Sequence, residues 1–272
     1  MKHSFFETIN KASDALPHLD FNNENINYLS HYHEEFELIY ISRGNLQLQL
    51  GQTSFSLSKG DIALVMPGEI HSFCSTESNK LYIMKFYAPA GWNLGNIQFR
   101  QCVIPPRHPA YGILYAEICH IHDEFLKKET GYQLAIQRHL LQILLVFLRK
   151  IGYDFIDMQA DMQNNAKINF LNTVQAYIKN HYKEHITLDS IAAYCQYSKY
   201  HFSHYFKAVT GKSFLEYVAL YRVEQAMRLI GAHGHSMTEI SELAGFSSVR
   251  SFNRTFKKYT GQAPLEYRRK NS

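Results

Sequence analysis

Arg250, Asn253, Arg254 and Lys257 place two guanidinium groups, a carboxamide and an ammonium within eight residues of chain. Such a set can donate and accept hydrogen bonds in fixed geometry and also neutralise anions. These residues sit in one of two stretches that repeat each other. Written one beneath the other, Phe202–Tyr217 (FSHYFKAVTGKSFLEY) and Phe252–Tyr267 (FNRTFKKYTGQAPLEY) keep Phe, Phe, Lys, Thr, Gly, Leu, Glu and Tyr at a constant offset of 50 residues. Phe202 with Phe206, and Phe252 with Phe256, stand four apart, so on a helix each pair shares a face and must point to a core. The remaining faces hold Tyr200, Ser203, His204 and Lys207 in the first copy, and Val249, Arg250, Asn253, Arg254 and Lys257 in the second. Arg can bond a guanine edge through two N–H groups, Asn can read adenine, and Lys neutralises phosphate. A solvated face with incidental charge accounts for a single basic helix, whereas two copies in register favour duplex DNA.

Short helices must position these side chains. Thr187 and Ser236 are placed as N-caps, and Ser236 with Glu239 three residues on makes a capping box. The helices they start run through Ile191–Ala193 and Ile240–Ala244, and Gly245 follows directly, suited to the positive φ at which a helix stops. Ser198 and Ser248 then cap second helices that end before Gly211 and Gly261. Helix, tight turn and second helix is the arrangement that lays the second helix in a major groove. Between the copies, Leu215, Val218, Ala219, Val223, Ala226, Leu229 and Ile230 describe a helix long enough to hold the two units apart. Successive major grooves on one face of B-DNA lie about 34 Å apart, so one chain can enter both.

The chain has 272 residues, enough for two domains, and its 46% hydrophobic and 19% charged content excludes disordered and fibrous classes. The longest apolar run, Ile143–Leu148, is far short of the ~20 residues a membrane helix needs, and Met1–Asn10 lacks the apolar centre of a signal peptide. The expectation is a cytoplasmic protein with no membrane partner. Cys74, Cys102, Cys119 and Cys195 show no C-x-x-C spacing, which suits unpaired thiols in a reducing compartment. Charge is unevenly distributed: residues 167–272 carry 15 Lys and Arg against 7 Asp and Glu, and the rest carries 13 against 17. One half is therefore fitted to meet a polyanion and the other is not.

The first half reads as short strands, Phe36–Ile41, Asn45–Leu50, Ser54–Leu57, Ile62–Met66 and Leu81–Tyr87, broken by glycine turns into a small barrel or sandwich. After Pro105–Pro106 the period becomes helical, over about 110–127 and 132–151. Leu134, Leu141, Leu144, Leu145 and Leu148 must bury a face against the barrel, the neighbouring helix or a second copy, which makes a homodimer one expectation. Residues 152–166 are polar and low in apolar periodicity, as an inter-domain linker would be. The expected organisation is α+β in two domains. Residues 1–151 form a β-barrel with two helices, and 167–272 form an all-α domain with helix-turn-helix units at about 187–211 and 236–261.

The segment Ile186–Arg268, through ITLDSIAAYCQYSKYHFSHYFKAVTGKSFLEY, YRVEQAMRLI and EISELAGFSSVRSFNRTFKKYTGQAPLEYR, closely resembles the AraC/XylS family of transcription regulators. That resemblance implies base-reading positions at Tyr200, Ser203 and His204 in the first unit and Val249, Arg250, Asn253 and Arg254 in the second. The N-terminal half is similar to the cupin-like sensor domain of many members, through HYHEEFELIYISRG and KGDIALVMPGEIHSF. By that resemblance His31, His33, Glu37 and His71 fall on the metal positions of cupins, a donor set suited to zinc, manganese, iron or nickel, or else serve as structural or ligand-bonding histidines. The sugar-sensing arrangement of the family implies effector positions at Arg43, Phe73, Tyr82 and Met84.

The resulting expectation is a sequence-specific, DNA-binding activator or repressor. A small-molecule effector, a sugar or another metabolite, would control it from the barrel, and RNA polymerase would be a partner if it activates. The alternative is a metal-dependent cupin enzyme with a DNA-binding appendage. Outside the barrel the sequence offers no activated nucleophile, phosphate loop or H-E-x-x-H, so the expectation is a protein that is not an enzyme.

Overall fold

The computed structural model describes residues 17–24, 28–75, 78–89, 97–232 and 234–271. Residues 1–16 of the expected first domain lie outside the described residues. Among the described residues ten strands precede the first helix: β1 (His18–Glu24), β2 (Tyr28–His31), β3 (Phe36–Arg43), β4 (Asn45–Leu50), β5 (Thr53–Ser58), β6 (Ile62–Val65), β7 (His71–Cys74), β8 (Lys80–Phe86), β9 (Ile97–Phe99) and β10 (Val103–Ile104). One sheet runs in the order β1-β8-β3-β6-β10 and the facing one β2-β7-β4-β5, while β9 pairs separately with β11 (Tyr153–Phe155). All pairings are antiparallel.

Period-two alternation decides what each strand residue does. On β3, Ile39 and Ile41 join Leu46, Leu48, Leu57, Val65, Leu81 and Ile83 in a core between the two sheets. The alternate residues Phe36, Leu38 and Tyr40 face the other way, onto two helices, α1 (Tyr111–Lys127) and α2 (Tyr132–Val146), the latter continuing into a turn of π-helix at Phe147–Ile151. Leu114, Ile118 and Ile121 of α1 and Ile136, Leu140, Ile143 and Leu144 of α2 close that core, each burial contributing roughly 1.5–3 kcal/mol.

Where a polar linker was expected at 152–166, the chain instead forms β11 and then α3 (Met158–His181), a 24-residue helix. Asp157 starts it, its carboxylate accepting the backbone N–H of Gln159. The apolar residues of α3 that pack, Ile168, Phe170, Leu171, Val174 and Ile178, lie only in its later turns, so its first turns carry no helical signature in the sequence.

The C-terminal domain contains α4 (Leu188–Tyr194), α5 (Lys199–Thr210), α6 (Phe214–Gly231), α7 (Met237–Leu243), α8 (Val249–Thr260) and α9 (Pro264–Asn271). Thr187, Ser198, Ser236 and Ser248 each accept a backbone N–H from the first turn of the helix they precede. Helix α6 divides its length between two cores. Tyr217, Val218, Leu220 and Tyr221 pack with α3 and the first unit, and Val223, Ala226 and Ile230 pack with Phe252 and Phe256 of the second.

At the turn inside each unit the copies differ. Gly245 has φ +81°, and its counterpart Gln196 adopts φ +60°, a conformation that costs a residue with a Cβ about 1–2 kcal/mol. Gln196→Gly is therefore expected to raise stability, by up to ~1 kcal/mol after the entropy a glycine adds to the unfolded chain. The urea midpoint measures it, and a lower midpoint than wild type contradicts it.

Candidate functional site

The candidate DNA-facing surface follows from the capped helices. In α5 the rings of Phe202 and Phe206 are fully buried, and so are those of Phe252 and Phe256 in α8. Their burial fixes the roll of each helix and turns Tyr200, His204 and Lys207 of α5, and Arg250, Asn253, Arg254 and Lys257 of α8, to solvent. Ser203 and Val249 are half-buried at the edges of those faces. Tyr200, 75% exposed, lies with its ring centroid 4.3 Å from that of His204. Helix α8 has no acidic residue to oppose its cations, which is the electrostatic requirement for approaching phosphate.

The second site is a buried polar cluster at one end of the barrel. His31 ends β2, His33 follows it, Glu37 lies on β3 and His71 begins β7. All four side chains are buried, Glu37 completely. They are brought together, their candidate ligand atoms all lying within 4.8 Å of one another. Each imidazole has its Nδ1 against a backbone carbonyl: His31 on Leu29 at 2.7 Å, His33 on Glu35 at 2.9 Å and His71 on Glu69 at 2.8 Å. A carbonyl only accepts, so each Nδ1 carries the proton, and in a neutral ring Nε2 is left as a bare lone pair. Two of those lone pairs face the same acceptor, with His33 Nε2 at 2.8 Å and His71 Nε2 at 3.0 Å from Glu37 Oε2. Acceptor against acceptor at that distance calls for a positive species, either a proton on Nε2 or a metal ion. Glu37 Oε1 is buried and has no hydrogen-bond partner among the described residues. Lys85 Nζ stands 3.8 Å from Oε2, beyond hydrogen-bond range.

Burial works against the charge on Glu37, but Lys85 and the rings of His33 and His71 outweigh it and hold the carboxyl well below its ordinary value. Burial also lowers His31 well below 6.5 and lowers His71, for which Glu37 opposes the effect. All three values are depressed in the folded state, so the unfolded chain binds more protons as the solution is acidified. The stability these groups contribute is complete above pH 6.5 and is lost as pH falls through their folded values. Metal-free protein in EDTA is accordingly expected to melt at progressively lower temperature from pH 7 to pH 5, with a shallower slope for His31→Gln. An unchanged melting temperature across that range contradicts this.

A second group, Glu117 and His120 on α1 with His139 on α2, also gathers within 4.8 Å. Here the buried ring is satisfied. Arg138 Nη2 donates to His139 Nε2 at 2.7 Å, so Nδ1 carries the proton and donates to Glu117. This group needs no further cation and reads as packing between α1 and α2.

The four residues expected to bind an effector are not brought to one pocket. Tyr82 and Met84 alternate with the inward Leu81 and Ile83, and so face the helix layer, where Tyr82 stacks on His122 at 5.2 Å. Phe73 points the other way, into the core between the sheets. Arg43 is exposed at the rim, bonded to Ser78 Oγ at 3.3 Å. The space between the sheets is filled by aliphatic side chains and the ring of Phe73.

Sequence reasoning missed the surface joining barrel to helices. Leu29 and Ile70 from the barrel are buried in the same core as Leu171, Phe206 and Tyr217. Their only sequence signal is an apolar residue one or two positions before His31 and His71.

Two family models match this chain, the AraC-like ligand binding domain over residues 18–144 and a helix-turn-helix domain over residues 191–270. The MmsAB operon regulatory protein of Pseudomonas aeruginosa is 25% identical over 251 residues, covering 88% of this chain and 76% of that protein. An uncharacterised HTH-type transcriptional regulator of Bacillus subtilis, YdeC, is 25% identical over 266 residues, covering 92% of this chain and 90% of that protein. Among solved structures, the C-terminal domain of the two-component response regulator yesN from Fusobacterium nucleatum is 31% identical. It covers 37% of this chain and 98% of that one, with a TM-score of 0.36. No described helix is long and apolar enough to cross a membrane.

Proposed function

The chain belongs to the AraC/XylS family of DNA-binding transcription regulators, with a ligand-binding domain ahead of its helix-turn-helix domain, and on that premise we propose that a divalent metal ion held by His31, His33, Glu37 and His71 controls its binding to duplex DNA. The carrying observation is the set of three imidazoles whose protons are all committed to backbone carbonyls while the lone pairs converge on a carboxylate. Backbone carbonyls on the far nitrogen are the usual support of metal-binding histidines. The residues fit the group: neutral nitrogens and one carboxylate suit zinc, iron, manganese or nickel, and the unpartnered Glu37 Oε1 is a further oxygen donor. Bound there, the metal would supply the positive charge that this donor set lacks. Lys85 opposes it in part, as a fixed cation beside the carboxylate. The relatives named as regulators favour sensing over turnover for this centre.

Titration of the EDTA-stripped, dialysed full chain with zinc chloride, followed by calorimetry, tests this reading. One equivalent bound with a raised melting temperature supports it, and no binding of zinc, manganese, iron or nickel sinks it. A second reading, a small organic effector, is favoured by a concavity of about 580 Å³ beside the seam between β5 and β10, lined in part by Phe55, Met66, Glu69, Phe99 and Cys102. A metabolite screen in EDTA that raises the melting temperature would support it.

On the DNA side, Arg254→Ala is expected to cost about 1–3 kcal/mol on the operator and to relax its sequence preference, while Lys257→Ala weakens all duplexes alike. Fluorescence anisotropy at fixed salt measures both. Equal affinity of Arg254→Ala and wild type would remove α8 from the base-reading role.

A further inference from the structure

Resting on the metal reading above, we infer that the barrel passes its state to the first helix-turn-helix unit alone, through β2 and the β6–β7 turn, with Ser30 and Tyr217 as the positioning pair. The dipeptide Leu29–Ser30 belongs to both sites at once. The Leu29 carbonyl orients the His31 ring at 2.7 Å, while the Leu29 side chain is 1% exposed inside the core of the first unit. Ser30 Oγ donates to the carbonyl of Thr210 at the end of α5, at 2.7 Å. The Ser30 carbonyl in turn accepts from the hydroxyl of Tyr217 on α6 at 2.9 Å and from Gln175 Nε2 on α3 at 3.2 Å.

The β6–β7 turn repeats the plan. The Glu69 carbonyl orients His71, the next residue Ile70 is buried in the core of the first unit, and the Gly68 carbonyl accepts from Asn164 Nδ2 of α3 at 3.1 Å. Two of the three carbonyls that set imidazoles, those of Leu29 and Glu69, therefore belong to or adjoin a residue whose side chain packs against the first unit. Close-packed cores transmit small displacements instead of absorbing them. Rings drawn together on a cation would move Leu29, Ser30 and Ile70, and with them the corner between α5 and α6.

The second unit meets this path only at second hand, where Tyr259 of α8 packs against the core of the first. Its core is built from α6, α7, α8 and α9 and contains no barrel residue. Under the 50-residue repeat Thr260 is the twin of Thr210, yet Thr210 is 1% exposed beneath β2 and Thr260 is only half-buried. The position of the first reader is the regulated variable, and the second reader is constant.

Hydrogen exchange on the full chain, stripped with EDTA and then loaded with zinc, tests this without an operator. Exchange is expected to slow roughly 5-fold or more across residues 205–218, while residues 255–268 stay unchanged. Tyr217→Phe should still bind zinc calorimetrically but lose that local response and, by reciprocity, bind zinc more weakly by the same factor. Tyr267→Phe, the twin substitution, should respond as wild type. Ser30→Ala gives an independent check, because it removes the bond to Thr210 and leaves Tyr217 its carbonyl acceptor. Zinc that binds but changes both units equally, or neither, overturns this inference alone. Failure of the wild-type chain to bind zinc, manganese, iron or nickel overturns the metal reading, and this inference falls with it.

Discussion

Glu37→Gln is expected to weaken zinc binding by roughly 100-fold or more, since even the outer hydrogen-bond partners of metal ligands are commonly worth 10–100-fold. The carboxamide matches the carboxylate in shape, so the barrel has no cavity to fill. Chemically the change is large. The anionic ligand is gone, and one N–H of the new amide can donate to the lone pair of His33 or His71, giving those rings the partner that their committed Nδ1 protons deny them. The wild type at a zinc concentration one hundred times its Kd should gain about 2.7 kcal/mol of stability, and Glu37→Gln should gain almost none at that concentration. Melting temperatures with and without zinc, beside calorimetry, read this directly. Wild-type zinc affinity in Glu37→Gln would remove the carboxylate from the ligand set, and with it the argument from converging lone pairs.

That argument was only half legible in the sequence. The spacing of His31, His33, Glu37 and His71 brought the four side chains to notice through resemblance, but nothing in their spacing says which ring nitrogen carries a proton. The answer lies in three backbone carbonyls, at Leu29, Glu35 and Glu69, that the fold places within 2.9 Å. The helices of the C-terminal domain were more readable because their determinants are local: a serine or threonine, a glutamate three residues on, two phenylalanines four apart. The resemblance supplied the effector positions without the strand alternation that sets Tyr82 and Met84 toward the helix layer and Phe73 between the sheets. Strand β2 went unread for a related reason. Leu29 and Ser30, consecutive residues on a short strand, are both buried, because a second domain covers what would otherwise be a wet face.

Gly245 shows how a residue correctly read for one reason can matter for another. The sequence called for a positive φ at the turn of the second unit, and alanine there costs about 1–2 kcal/mol in backbone strain alone. The structure adds a close approach: a Cβ on Gly245 would lie 2.3 Å from the carbonyl oxygen of Tyr182. That oxygen cannot retreat freely, because Arg222 Nε of α6 donates to it at 2.8 Å. Tyr182 closes α3 and Arg222 lies on the joining helix, so this contact seats the turn of the second unit against the first. Gly245→Ala is therefore expected to cost about 3–5 kcal/mol, the range reserved for strain combined with a steric clash. Gly261→Ala supplies the control, since it shares the positive φ, at +74°, but has nothing within 4 Å of its Cβ. Denaturant midpoints should separate the two by more than the strain term they share. Operator affinity should separate them further if α5 and α8 read DNA as proposed, because a displaced turn alters the spacing of those two helices and the exposed Gly261 turn does not. Equal losses at the two glycines would mean that Gly245 serves only its own turn, and that α6 alone fixes the distance between the readers.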